Sequence, residues 1–91
     1  MRDDQFEWDD RKAAANLRKH KISSEVAREA FEPAWFVDLL DDDPDEPRYL
    51  RIANVRGELV AVVYAERGHR VRIISARKAT ARERDAYADQ G

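Results

Sequence analysis

Ninety-one residues, 43% of them hydrophobic and 40% charged, give room for one folded domain over residues 1–91, with a thin core and a heavily charged surface. With no cysteine there is no disulfide framework and no thiolate metal site, and the longest apolar run, Leu59–Ala65, is too short to cross a membrane. The net charge of −2 conceals an asymmetry, 7 Lys/Arg against 14 Asp/Glu up to residue 47 and 10 against 5 beyond it, so an anionic partner is expected near the C-terminal half.

The opening MRDDQFEWDD is acidic and lacks the apolar run of a signal peptide, so a cytoplasmic protein without membrane association is expected. Phe6-Glu7-Trp8 alternates as a short extended lead-in. Asp9 or Asp10 then caps a helix running to about His20, with Ala13, Ala14 and Leu17 as its apolar stripe and Trp8 as a hydrophobic staple. Ser23 or Ser24 caps a second helix that buries Val26, Ala27, Ala30 and Phe31, and Pro33 closes it.

The remainder reads as sheet. Trp35–Leu40 is the first strand, and it ends in the acidic run Asp41–Pro47. That run lacks the glycine and spaced ligands of a calcium loop and is taken as a solvated turn, so no metal site is expected. Arg48–Val55 places Leu50 and Ile52 on one face. Arg56-Gly57 signals a hairpin, and Leu59–Tyr64, apolar on both faces, is the central strand. Arg67-Gly68 turns the chain into a last strand over Arg70–Ala76. Thr80-Ala81-Arg82-Glu83 is a capping box that opens a helix reaching about Asp89. The expected class is α+β: two N-terminal helices, a four-stranded antiparallel sheet and a C-terminal helix. The helices should cover one sheet face and leave the other partly open.

Three stretches resemble the BrnT family of toxins from type II toxin–antitoxin systems. They are Phe6-Glu7-Trp8-Asp9 with Lys12-Ala13 and Asn16–His20; the spaced Ala27, Ala30 and Phe31; and Arg72–Thr80 with Glu83-Arg84 and Tyr87. Lys21 stands where that family usually has glycine. The resemblance implies a RelE-like ribonuclease fold and RNA cleavage that inhibits translation and growth. It also implies a BrnA-like antitoxin partner, a ribbon-helix-helix DNA-binding protein through which alone DNA is contacted. No cofactor is implied.

Metal-free RNA cleavage needs a base for the ribose 2′-hydroxyl, an acid for the leaving 5′-oxygen and cations for the phosphorane. His20, at a helix end beside Lys19, either exchanges protons or simply caps the helix. Arg77 leaves the last strand just before Thr80; it either meets a phosphate or pairs with Glu83. Tyr87 lies one turn beyond Glu83 and either touches RNA or packs the helix. Strand alternation sends Ser75 and Arg77 to one face and Arg72, Ala76 and Lys78 to the other. The expected catalytic set is His20, Arg77, Lys19 and Tyr87, with Lys78, Arg72 and Arg84 binding RNA. His69 is read as a solvated turn residue. The alternative is a non-catalytic module that binds nucleic acid or protein through the same basic surface.

Overall fold

The computed structural model describes residues 1–90. Its elements in chain order are β1 (Phe6–Glu7), α1 (Asp10–His20), α2 (Ser24–Ala27, continued by a 3-10 turn over Arg28–Phe31), β2 (Val37–Asp41), β3 (Arg48–Val55), β4 (Glu58–Arg67), β5 (Arg70–Lys78) and α3 (Ala81–Gln90).

Asp9 caps α1, its carboxylate accepting from the Lys12 N–H at 3.0 Å. The helix closes through Lys21, which takes the left-handed conformation at φ 63° while its N–H donates to the Leu17 carbonyl. A left-handed closure of the kind glycine favours is thus made here by a lysine. Ser23 caps α2, accepting from Val26 N–H at 3.1 Å, and Ala27 and Ala30 pack without residual exposure. The expected α1 stripe needs correction, because Ala14 and Leu17 are exposed and only Ala13 turns inward. The physical reason is that α1 lies along the rim of β5. Asn16 donates to the Ala76 carbonyl at 2.8 Å and accepts from the Ala76 N–H at 3.3 Å, so one amide side chain stands in for a missing strand.

The sheet has five strands in the order β1-β5-β4-β3-β2. Strand β4 is antiparallel to both neighbours, as expected for the central strand. The fifth strand is β1, which pairs in parallel with β5 through Phe6–Val71 and Glu7–Arg72. Four antiparallel strands are therefore corrected to a mixed sheet of five. A two-residue strand has no periodicity to read, and its partner lies 65 residues further on. Between β3 and β4 the turn residues Arg56 and Gly57 both have positive φ, 54° and 86°, as a two-residue type I′ connection requires.

Both sheet faces are covered, which corrects the expectation that all helices share one. Phe6, Trp8, Ile22, Ala27, Ala30, Val60, Val62, Ile73 and Ala76 form the core under α1 and α2, here called the first face. Val37, Leu50, Ile52 and Ala61 form a smaller core on the second face, where Ala79, Ala86 and Tyr87 pack. Because β4 is apolar on both sides, both sides need cover, and α3 supplies it for one end of the second. The other end of that face stays open.

A bulge corrects one further expectation. Ser75 pairs with Val63 and Ile73 with Tyr64, which leaves Ile74 as an extra residue in β5. Alternation is thereby shifted by one. Arg72, opposite Ala65, lands on the second face with Ser75 and Arg77 instead of with Ala76 and Lys78.

Candidate functional site

An antiparallel meander returns the start of β3, the end of β4 and the start of β5 to one end of the sheet. Arg48, Arg67 and Arg72 occupy those three positions. They line a cleft of about 170 Å³ on the open part of the second face, together with Lys12 and Asn16 of α1, Glu46 of the acidic loop, Asp9 and Ser75. The bulge at Ile74 is what brings Arg72 and Ser75 into it.

Charge in the cleft is dense and only partly paired. The Glu46 carboxylate lies 3.0 Å from Arg67 and 3.8 Å from Arg48, so one acid serves two guanidinium groups. Arg48 also approaches Asp43 at 3.2 Å, yet its Nε is buried without a hydrogen-bond partner. Arg72 donates to Glu7 at 2.7 Å, and that bond holds the Glu7 carboxyl below its ordinary range. Such an array offers guanidinium donors to phosphate oxygens beside a carboxylate shared by Arg48 and Arg67. Trp8 reaches the cleft wall but is buried, so it supports the floor and is not a stacking platform.

Of the residues expected to act in catalysis or RNA binding, Arg72 alone lines this cleft. Arg77 makes a bidentate pair with Glu83 at 2.6 and 2.8 Å. The hydrogen bond from Arg77 lowers the Glu83 pKa, with a further contribution from the Thr80 N–H at 2.9 Å. The capping box is complete, since Glu83 N–H donates back to Thr80 at 3.2 Å. Tyr87 packs edge-on against Trp35 at 6.2 Å between ring centroids. Lys78, Arg84 and Tyr87 share a second, shallower groove with Asn54 and Leu59, and Lys78 lies 3.8 Å from Glu58 there. Lys19 and His20 form the last turn of α1, a helix that joins the first-face core through Ala13, whereas Arg77 and Tyr87 lie on the second face. The expected catalytic set is thus divided between the end of α1 and the junction of β5 with α3. His69 is exposed in its turn.

Sequence reasoning missed Lys12, Glu46, Arg48 and Arg67. A signal was present: with β3, β4 and β5 read as a meander, Arg48, Arg67 and Arg72 necessarily share one sheet end. Among the described residues no group of three His, Cys, Asp or Glu side chains is placed to share a metal ion. Among the described residues no helix is long and apolar enough to cross a membrane.

A comparison with curated proteins returns no match. The family described as "ribonuclease toxin, BrnT, of type II toxin-antitoxin system" matches residues 8–83, a span that contains α1, the whole β2–β5 meander and every arginine of the cleft. The chain belongs to the BrnT family of ribonuclease toxins.

Proposed function

We propose that this chain is a metal-independent endoribonuclease that cuts RNA in the cleft of Arg48, Arg67 and Arg72, and that a BrnA-type antitoxin holds it inactive. The observation that carries the reading is the convergence of three guanidinium groups from three strands on one cleft, two of them on the Glu46 carboxylate. RNA itself supplies the nucleophile, because its 2′-hydroxyl attacks the neighbouring phosphate. Glu46 accepts that proton, and Lys12, on the opposite wall, gives one to the leaving 5′-oxygen. The arginines hold the phosphate and stabilise the dianionic phosphorane. The cations of this route are side chains, which is why it is assigned as metal-independent. Arg77 and Tyr87 fix α3 in this reading, while Lys78 and Arg84 follow the flanking strand along their groove.

Cleavage of a labelled RNA by the purified toxin, with chelator present, tests the assignment. Arg67→Ala and Arg72→Ala should each slow cleavage by roughly a hundredfold or more, the scale of losing one transition-state donor. Glu46→Gln should slow it comparably. Wild-type rates in those variants, with loss on His20→Ala or Arg77→Ala, would move the chemistry to the α1 terminus and the β5–α3 junction. RNA binding without cleavage by the partner-free wild type would leave a binding module.

A further inference from the structure

The strand with the most apolar exposed surface lies at the rim of the sheet. Trp35, Phe36, Val37, Leu39 and Leu40 are five apolar residues in a stretch of six, the composition of a strand flanked on both sides. Yet β2 ends the sheet order, and its outer backbone groups have no strand beside them. Leu40 is 74% exposed and Trp35 43%, and Phe36 and Leu39 are exposed as well. Proteins ordinarily protect such a rim with lysine, proline or a bulge within the strand, or with a covering segment. Strand β2 contains no proline or lysine and pairs with β3 in unbroken register; its only charges are Asp38, which is held by Arg51, and Asp41. Leu39 points to the second face and Leu40 to the first, opposite Leu50 and Tyr49, so apolar side chains project on both sides of the free rim.

Charge selects the occupant. Residues 32–46 contain seven Asp or Glu and no Lys or Arg. A second copy of this chain pairing rim to rim would set those carboxylates against each other, which like-charge repulsion opposes. We infer that β2 is the docking strand for an extended segment of a partner protein in which apolar residues alternate with lysine or arginine, added to the sheet as a sixth strand beside Val37–Asp41. The apolar side chains of that segment lie on the first face beside Leu40, and its cations lie on the second, where Asp41 projects. Identifying the partner as the antitoxin rests on the toxin–antitoxin reading above; the place and chemistry of docking rest on β2 alone. Strand β2 contributes no residue to the arginine cleft, so docking on it does not by itself close the cleft.

The probe is a synthetic ten-residue peptide alternating lysine with valine or isoleucine, titrated into the full-length toxin. Trp35 reports docking because Trp8 is only 6% exposed and already buried. Expected are a blue shift of the exposed tryptophan, protection of the Val37–Asp41 amides from hydrogen exchange, and at least tenfold weaker binding for Leu40→Asp, which removes the apolar contact while adding one acidic charge. The same peptide with N-methyl groups on the amides facing the rim should also bind at least tenfold more weakly. Equal binding by the N-methylated peptide, or by one with its lysines and apolar residues in separate blocks, overturns strand addition in favour of charge alone. Concentration-dependent dimerisation of the wild type that Leu40→Asp abolishes overturns the choice of partner. RNA cleavage by Leu40→Asp is expected at the wild-type rate, so failure of docking and failure of the ribonuclease reading are separately visible.

Discussion

Lys21 holds a conformation that suits glycine. Its φ of 63° puts a β-carbon against the following carbonyl, at a cost of roughly 1–2 kcal/mol for a residue other than glycine. Glycine removes that strain but adds freedom to the unfolded chain, so Lys21→Gly should stabilise the fold by roughly 0.5–1 kcal/mol net, read from urea unfolding. An unchanged midpoint would mean the α1 terminus frays in solution. Asn16 carries the opposite risk. Its amide is the only outer partner for both backbone groups of the buried Ala76 among the hydrogen bonds described, so Asn16→Ala should destabilise by roughly 1–3 kcal/mol. Asn16→Asp keeps the acceptor but loses the donor to the Ala76 and Ile22 carbonyls, and should recover only part of the loss.

At the scale of elements, what could be read from sequence was what is local. The Arg56-Gly57 hairpin, the Thr80 capping box and the double-sided apolar β4 each follow from neighbours in the chain, and each is found as expected. The parallel β1–β5 pair, the bulge at Ile74 and the face chosen by α3 depend on distant partners, and no local pattern encodes them. The site suffers most from this, because one extra residue in β5 moved Arg72 across the sheet. The way α3 is fastened gives a pH-dependent prediction. Arg77 lowers the Glu83 pKa, so the pair contributes stability above the ordinary glutamate range and loses it as pH falls through the depressed value. Acidification below about pH 4.3, the ordinary glutamate value, should therefore loosen α3. Emission from Trp35, which packs on Tyr87 of that helix, should change with it, and Glu83→Gln should remove the acid sensitivity of this step. A pH response that survives in Glu83→Gln would assign it to another carboxylate.

For the molecule as a whole, the notable feature is two thin cores separated by one sheet. Trp8 sits in the first-face core and Trp35 stacks on the helix that covers the second, so each face carries its own fluorophore. The cores are not independent, because they alternate along the same strands: Ile52 and Ala61 face one side, Ala53 and Val62 the other, and all four are fully buried. Melting either layer must release β3 and β4, and with them the packing of the opposite layer. Unfolding should accordingly be a single cooperative transition, with identical midpoints in Trp8→Phe and Trp35→Phe once each variant is referred to its own circular dichroism. Ile52 is the sharpest probe of this coupling, as one of the largest side chains with no exposure and a member of the smaller core. Ile52→Ala should cost roughly 2–5 kcal/mol, a large part of the total for a domain this small. It should lower the Trp8 midpoint as much as the Trp35 midpoint, although Trp8 lies on the other face. A Trp35 transition that precedes the Trp8 transition in Ile52→Ala would instead make α3 and the second-face core a separately melting layer.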